Sequence, residues 1–488
     1  MNTWLIATKE LRELLYNPRF LLVFAAGAVL ILLSVFNGYI VYQSESGAAR
    51  EAEADARERL ADERSYDYID YQASRFPSKL SIFGVGLSGA IGRRGSVFVS
   101  SINITNISDN RFESDPILAV FGELDLTFTT SYILSVFAIL FSFNAISGER
   151  EAGTLRLLLA GSTRRTSVII AKLVGGYLPL ALTFLLPFLL ALFGLLTLTG
   201  IGFSPGEWGK IALMVIACLL YLLVFHSMGV AFSSLTRNSF VSFMLCLLFW
   251  VVSAAIVPKV AVNAASFISP SMNYFEFEKA YRELRTESRM VYGRTMARLF
   301  KENPVKIEEF RTKRREYAGK ADQESSAVHR RLEGELHREY LRQRRGMLAT
   351  AANLARISPS SNLSFICYGL ADTAPDLRER FEDELRKYGL ALANYLDEMK
   401  QKQTAAGDSR ERVISYKFVP GADGYMTVVS ENVEPESLDF TGMPRFDLSE
   451  PTLAAAIDEA LIDYAVLAFY VLLFFAVAYV AFLRYDAR

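Results

Sequence analysis

The side chains with the widest chemical repertoire are few and scattered. The chain has 3 histidines and 3 cysteines. His329, Glu333 and His337 fall on one helix face, but the two histidines stand two turns apart, about 12 Å at 1.5 Å per residue. They cannot share an ion and read as solvent-facing polar residues, so no metal site is expected. Cys218 and Cys246 lie in apolar runs and Cys367 in a polar region, with no CxxC pair. That excludes a thiolate zinc site and any disulfide within the polar regions. No HExxH, nucleophile elbow or G-x-x-x-x-G-K-[ST] phosphate loop occurs, and Gly84-Val85-Gly86 lacks the third glycine of a dinucleotide fingerprint. No catalytic residue is therefore expected. What remains is a charged, helix-prone stretch, SGEREAGTLRLLLAGSTRRTSVIIAK, running from Ser147 to Lys172 between two long apolar runs. Residues of that kind transmit force rather than break bonds.

The elements that hold this stretch are membrane spans. At 51% hydrophobic and 12% aromatic the chain is too apolar for an ordinary soluble domain. Its charges concentrate between the apolar runs, and a net charge of −1 with interleaved Arg and Glu gives no bias toward nucleic acid. About 20 apolar residues cross the hydrocarbon core. Six windows qualify: residues 20–41, 126–147, 173–200, 211–235, 238–257 and 464–483. All should be helical because lipid leaves no partner for open backbone groups. Pro179 and Pro187 are expected to kink the third.

Orientation follows from Lys and Arg at the span ends. Lys9, Arg12 and Arg19 precede span 1, Arg150, Arg156, Arg164, Arg165 and Lys172 fill the second connection, Arg237 follows span 4 and Arg484 follows span 6. The positive-inside rule puts these in the cytoplasm. Both termini, residues 1–19 and 484–488, and the 148–172 segment are then cytoplasmic, in an inner or plasma membrane. Residues 42–125 and 258–463 lie outside. Residues 1–19 read either as a helix in the inner interface or as a plain amphipathic anchor. They do not read as a cleavable signal.

The outside segments are expected to be mainly helical. Residues 46–67 are rich in acids and bases, and the glycine-rich 83–95 reads as a turn-rich or membrane-skirting loop. Residues 272–347 suggest two long helices hinged at Asn303-Pro304. Phe381, Leu385, Tyr388, Leu392, Tyr395 and Met399 recur at alternating four and three, a packing seam for neighbouring helices or for a partner protein. Residues 412–419 and 425–430 read as a hairpin. Ser449 and Pro451 supply a cap and first-turn proline before span 6. The fold expected is an all-α polytopic membrane protein with a mainly helical extracytoplasmic domain containing a small β-hairpin. Within the spans Asn37, Asn144 and His226 read as interhelical glue. The absence of Asp or Glu at depth argues against an ion-coupled carrier.

The Glu149-Arg150-Glu151, Gly153-Thr154-Leu155 and Leu157-Leu158-Leu159 groups, with Arg165 and Lys172 after them, resemble the segment following the second span in permease subunits of type 2 ABC transporters. Ile268-Ser-Pro270, Ile357-Ser-Pro-Ser360 and the carboxyl end resemble the subfamily with large outside insertions. Ser162 and Ala171 depart from the usual proline and glycine. The resemblance implies a permease, an exporter by preference, that works as a pair with a second copy or close paralogue. Each copy would dock one ATP-binding cassette subunit, which binds ATP and magnesium, so this chain would not be an enzyme by itself. Glu149, Arg150, Glu151, Gly153, Thr154 and Leu155 would form the docking helix and its entry. Its charges would meet a recess on the cassette, and its leucines would pack on the permease. Arg164, Arg165 and Lys172 would fix the segment at the inner headgroups or act as ordinary positive-inside anchors. Two alternatives remain: a machine that moves a lipid, lipoprotein or extracytoplasmic partner protein without transport, and an assembly factor with no ATP coupling.

Overall fold

Apolar runs of this length fold as helices. In the computed structural model six helices are long and apolar enough to cross a membrane. The structure describes residues 3–62, 69–98, 107–110, 123–155, 165–303, 309–405, 414–420, 426–432, 438, 440 and 442–484. It falls into two compact units, residues 1–250 with 362–488, and residues 251–361.

In the first unit, an amphipathic helix Thr3–Leu15 leads into span 1, Pro18–Asp62. That helix runs unbroken 21 residues past the expected end of the span at residue 41. Span 2 comprises Leu126–Phe128, a π-helical stretch Thr129–Leu134 and Ser135–Ser142, and a short helix Ser147–Glu151 follows it. Span 3 is Arg165–Thr199, one continuous helix through Pro179 and Pro187. Span 4 is Pro205–Leu235, opened by a Ser204–Glu207 capping box with Pro205 in the first turn. Span 5 starts at Ser239 and span 6 is Leu453–Leu483, capped by Thr452 rather than Ser449. Helix Thr3–Leu15 packs on span 3, and span 6 packs on span 4. The side of the bundle that carries helix Thr3–Leu15 is called the near side below. Span 6 begins 11 residues before the expected residue 464, so it includes Asp463, which is buried. The expectation of acid-free spans therefore holds for the apolar stretches but not for this whole helix.

A three-stranded antiparallel sheet, β1 (Asp70–Ser74), β2 (Arg94–Phe98) and β3 (Ile107–Ser108), was not expected from the sequence. It is what the 381–399 seam packs against. Phe381, Leu385, Tyr388 and Leu392 on helix Leu377–Ala405 join Ala73 and Val97 in a separate apolar cluster. The Tyr71 and Tyr388 rings sit 5.4 Å apart and Phe446 closes the far edge against Phe381 and Tyr388. The seam is core. The expected hairpin is present as β4 (Ile414–Pro420) and β5 (Met426–Asn432); residues 412, 413 and 425 fall outside the described ones. The 83–95 stretch is rich in turns, which run over residues 86–90, and its Phe83, Val85 and Ile91 are buried. Helix Pro359–Ala371 contributes Leu363, Ile366 and Leu370 to the same core as the spans.

The second unit holds the rest of span 5, a π-helical stretch Val251–Ile256 and then Val257–Ile268. It also holds two long helices, Tyr274–Glu302 and Phe310–Ala355, on either side of the expected hinge. They pair antiparallel through Phe277 and Tyr340, rings 4.9 Å apart, Thr295 and Arg298 on Glu324, and Phe300 with Tyr317. His329 is half-buried rather than fully solvent-facing. Its Nδ1 is 3.3 Å from the Ser288 hydroxyl of the paired helix, at the edge of the interface. Glu333 lies one turn on, and burial pushes its carboxyl up to about 7.

A carboxyl whose folded pKa is raised binds more protons folded than unfolded, so its contribution to stability falls as pH rises through about 7. His329 acts oppositely, because burial and then Arg285 lower its pKa and stability falls on acidification below the ordinary histidine value. Glu333→Gln should therefore slow amide hydrogen exchange around residues 325–335 at pH 8 relative to the parent. At pH 5, where the parent carboxyl is already neutral, the two should exchange alike.

Candidate functional site

Span 2 ends at Ser142, and the chain must turn before it can re-enter as span 3. Residues 143–146 make that turn, with Ala145 N–H donating to Ser142 O and Gly148 N–H to Asn144 O. The next two free donors, Ile146 N–H and Ser147 N–H, both donate to Ser233 Oγ on span 4 at 2.9 Å. A buried hydroxyl thus satisfies the amino end of helix Ser147–Glu151, which a helix otherwise leaves open. Span 2 lies close to span 4 here because residue 229 is glycine: a Cβ there would overlap Ser142 Oγ.

Three consecutive side chains then part toward three spans. Glu149 Oε1 meets Lys172 Nζ of span 3 at 2.6 Å. Arg150 Nη1 donates to Thr236 O at 2.7 Å and Nη2 to Ser234 O at 3.2 Å. Ser234 O belongs to the last turn of span 4, where a helix favours positive charge, and Thr236 is the residue that caps it. Glu151 accepts from Ser239 N at 2.9 Å and from Ser239 Oγ at 2.9 Å. That is the first turn of span 5, where open N–H groups and the helix dipole favour an anion. Adjacent opposite charges thus bridge the Arg237 turn, each on the helix end of complementary sign.

Lys172 departs from the expectation of a headgroup anchor. Its side chain is 2% exposed and also reaches Glu10 Oε1 at 2.8 Å, on the near-side helix Thr3–Leu15. Two carboxylates around one buried ammonium supply the pairing that burial demands. Arg165 Nη1 donates to Leu483 O at 2.6 Å, at the last turn of span 6. Arg164 and the Leu157–159 run lie outside the described residues. Glu149 and Arg150, expected to face a partner, therefore turn their charges inward. Among the described residues of 147–155, Glu151 to Thr154 are exposed. Gly153 has φ +73° with nothing within 4 Å of a Cβ, so glycine is there for its backbone alone. Leu155 is fully buried.

The motif located this site, but Glu10, Ser233 and Ser239 were missed. Their types are ordinary, and only the packing of the spans brings them to it. Glu151→Ala should cost about 1 kcal/mol by opening the span 5 amino end, read as a lowered midpoint in thermal unfolding.

A sequence model described as ABC-2 family transporter protein matches residues 4–307, well over half of the chain and including the Ser147–Lys172 segment. The chain belongs to that family. No curated protein matches it. As an ABC-2 permease it is a multi-pass membrane subunit of an ABC transporter, and the family implies an ATP-binding cassette partner.

Proposed function

We propose that this ABC-2 permease exports cargo by receiving force from a separate cassette subunit at the Ser147–Leu155 segment. The observation that carries this reading is the parting of Glu149, Arg150 and Glu151 onto spans 3, 4 and 5. A push on one short helix reaches three spans at once, and Glu10 ties the near-side helix into the same network. Rigid packed helices convert such a push into rearrangement rather than local bending. Glu151 to Thr154 would meet the cassette, and the cassette would bind ATP and magnesium, since this chain has no phosphate loop. Two copies, or one copy and a paralogue, would flank the path, with both termini and the site cytoplasmic.

A second reading is favoured by the long hairpin of residues 274–355: the machine would act on a lipid or protein already outside. Crosslinking distinguishes them, since an exported substrate is captured within the spans and an outside target only by the hairpin.

The reading itself is tested with Thr154→Cys in the complex purified from its native membrane. A crosslink from residue 154 to the cassette, together with loss of stimulated ATP hydrolysis on deleting residues 149–155, is the expected result. Intact binding and hydrolysis after the deletion would end it.

A further inference from the structure

Chain without regular secondary structure is tolerated among membrane helices only where protein buries it or where it lines a path. The first unit buries such a segment. After the 3-10 turn Lys79–Ile82, capped by the Ser78 hydroxyl, no helix or strand forms until Arg94. Yet Ile82, Phe83, Val85 and Ile91 are all at most 5% exposed. Phe83 packs 5.7 Å from Phe188 of span 3 and 6.2 Å from Phe203 of the span 3–4 connection. Against span 1 the approach is backbone to backbone, because a Cβ on Gly38 would overlap the carbonyl of Ile82.

What holds the segment is a small set of polar contacts. Val85 N–H donates to Asp125 Oδ2 at 3.1 Å, and the other Asp125 oxygen accepts from Phe128 N–H at 2.6 Å. One carboxylate thus pins the segment to the first turn of span 2. Thr373 Oγ1 donates to Gly84 O at 2.8 Å, and Leu87 N–H donates back to Thr373 O at 2.9 Å. Gly86, at φ +53°, lets the chain turn against Thr373, where a Cβ would come within 2.6 Å of the hydroxyl. The return limb makes polar contacts of its own. Buried Arg75 reaches Ser88 O at 3.2 Å, and Ser88 Oγ donates to Glu45 Oε2 at 2.9 Å.

A well-packed apolar tip, glycines at 84, 86, 89 and 92, and polar contacts that gather on Asp125 and Thr373, with Lys79 Nζ on Gly202 O at 2.9 Å beside them, describe a closure that hydrogen bonds hold shut. We propose that residues 79–91 form the far-side gate of this permease, latched by Asp125 and Thr373 and withdrawn once per cycle to let cargo leave. This rests on the transport reading above, and its test separates the two.

The permease and its cassette are placed in nanodiscs, and Val85→Cys is challenged with a membrane-impermeant maleimide. Leu87→Cys, at a position 41% exposed, serves as the always-reactive control. The thiol introduced at position 85 should be protected at rest and label at least about tenfold faster during ATP hydrolysis. Thr373→Val removes one buried hydrogen bond and should raise the resting rate roughly fivefold to tenfold. Hydrogen exchange of the native 84–91 amides, free of any substitution in the segment, should accelerate in the same state. If the complex hydrolyses ATP while that thiol and those amides stay at their resting rates, the segment is a fixed strut and the proposal is overturned. Failure of the permease to stimulate hydrolysis at all would instead count against the transport reading.

Discussion

Replacing Lys172 with methionine is expected to destabilise the permease by about 3–5 kcal/mol, the usual cost of deleting one partner from a buried ion pair. It should also abolish the permease's stimulation of its cassette. The ammonium is 2% exposed and is what holds Glu10 and Glu149 together, at 2.8 and 2.6 Å. Methionine matches its length and packing, so the loss is electrostatic: two carboxylates are left facing each other with no cation between them. The two effects are separable. Changing all three residues together (Glu10→Gln, Glu149→Gln and Lys172→Met) removes the stranded charges and should recover most of the thermal stability. Stimulation should not recover, because the charged tie from span 3 to the Ser147–Glu151 helix is gone. A single Lys172→Met variant with parental stability and full stimulation would show that the triad is incidental to both.

Gly229→Val is expected to have the next largest effect, about 2–3 kcal/mol or outright loss of folded protein. Its Cβ would overlap Ser142 Oγ, and the branched side chain cannot rotate away from its own helix. Span 2 would have to move off span 4. Ser233, one turn beyond residue 229, would then lose its grip on Ile146 and Ser147. The measurement is detergent-solubilised yield and thermal unfolding beside Gly194→Val, where nothing lies within 4 Å. Gly194→Val keeps the cost of a β-branched residue in a helix without the clash. Equal behaviour of the two variants would mean that spans 2 and 4 do not pack as described.

The six spans were legible because a run of apolar residues long enough to cross lipid has one low-energy structure. Their ends were not. Hydropathy marks where the bilayer is, whereas a helix continues until a cap or proline stops it. Span 1 therefore runs on to Asp62 through charged residues that pair at four-residue spacing, as Arg57 does with Glu53. The two long helices Tyr274–Glu302 and Phe310–Ala355 and the 381–399 seam were also legible, the helices from their charged, helix-prone composition and the seam from its period. The partners of that seam were hidden, since β1 and β2 are five residues each and lie apart in sequence. The burial of the 79–91 segment was hidden for a related reason. Glycines suggest a turn-rich or membrane-skirting loop, and nothing local reports that Phe83 and Val85 are covered by residues far away in the chain. The Glu-Arg-Glu triplet was visible as a motif. Its destinations were not, because Ser234, Thr236 and Ser239 become its partners only when spans 4 and 5 close around the Arg237 turn.

The unbroken first helix has a mechanical corollary. Its 45 residues make a rod of about 67 Å at 1.5 Å per residue, roughly twice the hydrocarbon thickness. A tilt of only about 5° about its near-side end would sweep the opposite end through about 6 Å, more than one helical turn's pitch. Whatever is tethered to that end would feel an amplified copy of a small angular displacement made at the other membrane face.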